Sequence, residues 1–532
     1  MDTPATERPR QWQRTTTRRF LKWLVSWRIV RRVLLAIAVG ATLIVAFYTE
    51  EDLRGQRTWA RHRQEMDARG EQLDWRAIVP KPVPDAENFA AIPLVKSWFV
   101  RNTSGSRSNT KGDYYQQAYD HVAGAVRYRV LGTRKFLDLV AWSNAFDVVR
   151  AGKMTGWQKF GSDKLDLTSR TQAAPAVLDA LKTNEADFAE LRAASRRPYS
   201  RYPIDYNVPC PADILLPHLN HLRGYCRHLQ LKACAELTLG RSQEALDDVK
   251  LAFAVADSIK GEPFLISYLV RLDCLQITTQ PIWEGLAEHA WSDAQLQELG
   301  TKLQEYDFIA DLKPAFDGEQ AWGIGIIDFA KQTGKLAELS DNGGGPGADV
   351  LARLMPSGWY YFERVNYCRL LALQVAAAYD TADKRVSPGR LESNEQALDR
   401  AFQGRGPIGM ILIRHQILST MLLPALTRVP IRGASAQVAT DQAMLACALE
   451  RYRLASGRFP DTLDALVPQF ISQLPHDVIT GEPYKYRLTK DGQFVLYSVG
   501  WNEKDDGGVP GKTLFDDKQG DWVWQYPPQQ EP

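Results

Sequence analysis

The seventeen uncharged residues from Val33 to Thr49 (VLLAIAVGATLIVAFYT) constrain this chain more than any other segment. A run of that length lies at the short end of the roughly 17–25 residues that cross a bilayer as one helix. Its flanks point the same way. Nine cations precede it (Arg8, Arg10, Arg14, Arg18, Arg19, Lys22, Arg28, Arg31, Arg32), opposed only by Asp2 and Glu7, and Glu50, Glu51 and Asp52 follow it. Cations on one side of a span place that side in the cytoplasm, and Trp23, Trp27 and Tyr48 suit the two interfaces. A buried core helix would rarely carry such a charge step. No small-x-small cleavage site follows the run, so the pattern predicts an uncleaved signal anchor and not a removed leader. The expected arrangement is a basic cytoplasmic segment over 1–32, a single pass of the lipid bilayer through residues 33–49, and the remainder outside the cytoplasm. That location is the periplasmic side of a bacterial inner membrane.

The uneven charge also argues against one class of partner. The whole chain sums to +2 and residues 1–32 to +7, which leaves −5 for the other 500 residues. A bulk of that sign gives no support to nucleic-acid binding. Hydrophobic content of 45% is ordinary for a chain that folds into packed domains, and 532 residues exceed what one small core organises. Six scattered cysteines do not form a disulfide framework. Cys226 and Cys234, eight apart on one predicted helix, stand about 12 Å apart along its axis and cannot bridge each other. Most of the six read as small buried apolar residues. An oxidising compartment leaves room for one pair involving the loop residue Cys210.

Past the span, residues 50–118 read as a charged helix followed by a linker in which Pro80, Pro82 and Pro84 impose extended backbone. Residues 101–117 are a polar, Gly/Ser-punctuated loop. Helical periodicity then dominates 119–405. The expected helices cover about 217–239, 242–259, 263–288, 292–305, 307–333, 357–383 and 393–404, an array that implies a bundle or solenoid. Ala233, Gly240, Ala245, Val249 and Ala252 match the small and apolar positions of one tetratricopeptide (TPR) unit, although a shift of 34 residues meets Cys274 where glycine should recur. An ordinary helical hairpin accounts for the same residues. Residues 406–433 form an apolar connecting helix. Its core, Ile408 to Leu423, is broken by Arg414, His415 and Gln416 and is therefore expected to pack on the helical domain.

Two constellations are candidates for chemistry. His218, His221 and His228 share one face of a predicted helix with Tyr225, and imidazoles at spacings of three and seven suit Zn²⁺. That stripe is the basis of an alternative reading, an extracytoplasmic metal-dependent hydrolase. No H-E-x-x-H pattern accompanies it, and histidines satisfied by tyrosine or backbone partners explain the same residues. The second constellation is an Asp/Gly loop: Asn502, Asp505 and Asp506, with Asp516, Asp517 and Asp521 downstream. Hard oxygens at close spacing in a glycine-rich loop suit Ca²⁺. Gly511-Lys512-Thr513 is not a phosphate loop, because Asp506 stands where the leading glycine belongs. No pattern for a nucleophilic or acid–base site is legible, so the chain reads as non-enzymatic.

Two resemblances add to this. Leu449 through Pro460 (LERYRLASGRFP), the L-x-x-L-V-P of 463–468, Leu474-Pro475 with Asp477, and Tyr497-Ser498-Val499-Gly500 resemble the globular half of the major pseudopilins of type II secretion systems. The resemblance implies a small C-terminal α+β domain over 434–532. It also implies a calcium loop in which Asn502 replaces the family's first aspartate while Asp505, Asp506 or Asp521 supply carboxylates. The internal, charged stretch before it excludes normal pilin processing. The opening beyond the membrane, with E-M-D-A-R-G-E, a second tryptophan and E-N-F-A, resembles uncharacterised large proteins of Planctomycetes and Verrucomicrobia, for which no activity is implied. The resulting expectation is a mainly α protein with a transmembrane anchor, an extracytoplasmic helical domain with a TPR-like hairpin, and a pseudopilin-like cap. Its expected role is binding or assembly with protein partners of the cell envelope.

Overall fold

The computed structural model describes residues 27–100, 118–119, 133–151, 167–335, 347–402, 417–422, 426 and 428–527. The basic residues before Trp27, the polar loop 101–117 and the 408–416 part of the apolar connector lie outside the described residues. The protein is mainly helical and begins with a long apolar helix. This helix, α1 (Trp27–Ala68), runs without a break through the apolar segment and the charged one after it. Its first half lies bare, with Leu35 65% and Val45 64% exposed. Its second half is docked: Glu51, Gly55, His62 and Met66 are buried.

The docking surface is α12 (Ser357–Gln374), and glycine sets the distance of approach. A Cβ on Gly358 would stand 2.0 Å from the Glu51 carbonyl oxygen, and one on Gly55 2.3 Å from the Gly358 oxygen. With both positions bare the backbones touch. Trp359 Nε1 donates to the Glu51 carboxylate at 2.9 Å, and the Gly358 amide donates to Asp52. The acidic residues after the apolar run therefore hold the helical body.

The body is built from α2 (Pro93–Trp98), α3 (Leu139–Arg150), α4 (Leu167–Leu181), α5 (Glu185–Ala194), α6 (His218–Thr238), α7 (Ser242–Asp257), α8 (Leu265–Ala287), α9 (Asp293–Gln304), α10 (Phe308–Thr333), α11 (Gly347–Leu354) and α12. The expected helices from 217 to 333 recur within two residues of their predicted ends. Helices α6 and α7 pack as an antiparallel pair across Gly240, which adopts φ +73°, a region other residues rarely enter. Ala233 and Ala245 are fully buried in that seam. One expectation fails here. The helix predicted to run to residue 383 ends at Gln374, and the chain turns into a short hairpin of β1 (Tyr379–Asp380) and β2 (Arg385–Val386). Alanines 376–378 favour a helix, but Asp380 accepts the Asp383 amide, Lys384 takes φ +50°, and Val386 donates to the Val478 carbonyl. Long-range pairing overrides local propensity.

After α13 (Pro388–Phe402) and α14 (Ile417–Leu422), α15 (Arg428–Ser456) runs through the body and is buried almost continuously from Val429 to Glu450. It packs on α8, α9 and α10. Gly457, at φ +80°, terminates it. Three antiparallel strands follow in the order β3 (Lys485–Leu488), β4 (Phe494–Ser498) and β5 (Trp522–Gln525), with Tyr486 opposite Leu496 and Leu496 opposite Trp524. Trp522 and Trp524 are fully buried. A single apolar cluster extends from Met66 to Trp524, so the C-terminal elements share the core of the helical body. Within the apolar connector, Leu418 is buried, and the Glu363 carboxylate accepts the Leu418 and Ser419 amides at 3.1 and 2.9 Å, as packing on the body requires. All six cysteines are buried thiols outside any disulfide, so the pairing considered for Cys210 is not formed.

Candidate functional site

The histidine stripe follows from where α6 begins. Pro217 precedes the first turn, and His218, His221, Tyr225 and His228 succeed one another along one side. The structure gives each imidazole a different role. His218 is fully buried, stacks on Tyr202 with ring centroids 4.2 Å apart, and pairs through Nε2 with Glu262 Oε1 at 2.8 Å. His221 is exposed and stacks on Trp98 at 4.9 Å. His228 is buried between Phe188 and Tyr225, and burial lowers its pKa to about 3. Tyr225 donates its hydroxyl to Asp187 at 2.7 Å. The three rings pack against three different sets of aromatic partners. Among the described residues no three His, Cys, Asp or Glu side chains converge as metal ligands. The stripe is an aromatic packing face, which helical periodicity alone cannot distinguish from a ligand face.

The Asp/Gly loop is held together by its own backbone. Asp521 is fully buried and accepts the amides of Gly508 at 2.7 Å and Asp506 at 3.2 Å. Asp505 accepts the Tyr497 hydroxyl at 3.1 Å and the Gly507 amide at 3.0 Å, and Lys485 Nζ stands 3.9 Å away. Asn502 accepts the Lys504 amide, and its own amide group donates toward Asp506 at 3.4 Å. Burial raises Asp516 toward the neutral form, but the Lys518, Gln519 and Lys512 amides outweigh it and hold the carboxyl below its ordinary range. A Ca²⁺ cage needs six to eight oxygens turned inward on one point. Here the carboxylates turn onto N–H donors and a lysine, so Asn502, Asp505, Asp506 and Asp521 do not fit the ion. Positive φ at Gly500, Gly507, Gly508 and Gly520 is what lets the loop fold onto its own carboxylates.

Sequence reading missed the buried ionic knots. Lys232 Nζ bridges Glu236 at 3.0 Å and Asp248 at 2.6 Å, and Arg192 reaches Asp248 from α5 at 3.2 Å. Burial and the facing Asp248 carboxylate push Glu236 up to about 8. Arg170, 1% exposed, pairs with the fully buried Glu284 and, at 3.0 Å, with Glu288. Arg271 joins Asp257 and Asp311 at 3.1 and 2.7 Å. The i,i+4 spacing of Lys232 and Glu236 was a signal in the sequence; the partner across the Gly240 turn was not. Each knot ties neighbouring helices together inside the body.

A cleft of about 200 Å³ lies between α9, α15 and the 468–472 segment, lined by Gly300, Thr301, Cys447, Arg451 and Phe470. Cys447 is its sole nucleophilic thiol. Burial pushes that thiol up to about 12, so the nucleophilic thiolate does not form at neutral pH. No histidine lines the cleft to act as its base. No protein-family model, curated protein or solved structure matches this chain.

Proposed function

We propose that this chain is a membrane-anchored, non-enzymatic binding or assembly protein of the cell envelope, with its N-terminus in the cytoplasm and its helical body outside. One observation carries the reading. A single helix is bare along its apolar half and locked by Glu51, Gly55 and Met66 into the body along its polar half. An apolar helix left bare in water is strongly disfavoured, whereas in a bilayer it is a rigid mast. The basic segment before it and Glu50, Glu51 and Asp52 after it support the orientation. The antiparallel α6–α7 pair, with its TPR-like residues, supports a protein partner over a small-molecule substrate. The order of α15, the Gly457 stop and three antiparallel strands supports the pseudopilin resemblance and, with it, contact with a secretion or pilus-like machine.

Topology tests the reading. A reporter fused after Pro532 is expected to be active only when exported; activity confined to the cytoplasm overturns the envelope assignment. Partner capture should use the intact chain, because truncation at residue 434 removes most of α15 from the core. Crosslinking that recovers no envelope protein above an anchor-only control would remove the assembly role and leave the anchor.

A further inference from the structure

We infer that α11 lies on the outer face of the bilayer and inserts Val350 and Leu354 into the lipid interface, giving the anchor a second lipid contact. The inference rests on the membrane reading above. Its first ground is position. Tyr48, at the end of the apolar run, donates its hydroxyl to the Leu354 carbonyl. The C-terminal end of α11 is thereby fixed at the depth where the span leaves the membrane. The Tyr360 hydroxyl, bonded to the Ala352 carbonyl at 2.9 Å, ties the same turn to α12.

The second ground is what α11 presents there. Val350 and Leu354 are four apart, hence on one helical face, and are 57% and 63% exposed while Ala352 is buried. Asp349 and Arg353, also four apart, form a polar stripe beside them. An apolar stripe flanked by a polar one is the pattern of a helix lying in the interface plane. On α1, Phe47 and Leu53 are 46% and 48% exposed, so apolar surface continues across the exit point.

The third ground is length. At 1.5 Å per residue the run 33–49 rises about 25 Å, short of a hydrocarbon core of about 30 Å. A short span is accommodated by thinning of the bilayer, by snorkelling of flanking residues or by oligomerisation, and apolar surface beside its end lowers the cost of that mismatch. Helix α11 supplies such surface at the exit.

The six native cysteines are buried, so a single added thiol accepts a polarity-sensitive fluorophore selectively. Full-length Val350→Cys, Leu354→Cys, Leu43→Cys and Lys490→Cys variants, labelled and reconstituted in phosphatidylethanolamine/phosphatidylglycerol vesicles, are compared with and without a lipid carrying a quencher, placed near the headgroup for the labels at 350, 354 and 490 and deep on the acyl chain for the label at 43. Labels at 350 and 354 are expected to shift to the blue and lose most of their emission to the quencher, while the label at 490 does neither. Quenching at 43 without quenching at 350 and 354 overturns the inference and leaves the anchor intact. No quenching at 43 overturns the anchor itself. A blue shift at 350 and 354 that ignores the quencher and grows with protein density means a second copy covers the face, which also overturns the inference.

Discussion

Asp441 shows how much of this protein rests on single buried charges. Its carboxyl accepts Gln437 Nε2 and the Tyr484 hydroxyl, both at 2.9 Å, joining α15 to the segment that leads into β3. Burial pushes it up to about 7, and the nearby Asp477 carboxylate acts in the same direction. A carboxyl raised in the folded state binds protons that the unfolded chain releases. Its stabilising contribution is complete below the unfolded value near pH 4 and is lost as pH rises through about 7. A tenfold difference in proton affinity between the two states corresponds to roughly 1.4 kcal/mol. Thermal melts from about pH 5 to 8 should therefore show wild type losing stability relative to Asp441→Asn; parallel curves would mean that Asp441 is ionised throughout. Arg170 offers a contrasting case. Removing it leaves Glu284 buried without its cation, so Arg170→Ala should cost about 3–5 kcal/mol in denaturant unfolding. The double change Arg170→Met with Glu284→Leu should recover much of that loss, because an apolar pair carries no desolvation penalty. None of these residues stood out in the sequence, where a lone Asp inside a helix or an Arg beside a Thr-rich stretch carries no sign of burial.

The contact between α1 and α12 is the element that joins the long apolar helix to the body. Gly55 and Gly358 let two backbones meet, and a side chain at either position has no room. Gly358→Val should push the helices apart, at about 1–3 kcal/mol for an overpacked contact. Limited proteolysis should then cut within residues 50–68 while the α6–α8 region stays protected. Unchanged protection would show that the helices are not held by this contact. The sequence marked both partners as helices from their periodicity, but Gly358 read only as a residue near a helix start. The histidine stripe shows the same limit in reverse. Spacing placed His218, His221 and His228 on one face, while Tyr202, Phe99, Trp98 and Phe188, all distant in sequence from α6, turned that face into aromatic packing.

At the scale of the whole molecule, the native protein should react with a thiol reagent at none of its six cysteines, and the denatured chain at all six. Partial reactivity at Cys447 alone would mean that the α9–α15 cleft opens. The sequence by itself determined the apolar span, its charge step and the helical array from 217 to 333, because each is written in contiguous residues whose spacing matches one period. It also located the Gly457 stop and the β-rich run after it. Only the tertiary structure decided that α15 runs through the centre of the body, that the acidic residues of the loop after β4 turn onto backbone amides, and that the acids after the span hold α12. Those outcomes depend on which surfaces meet, and a one-dimensional pattern specifies a face without specifying its partner.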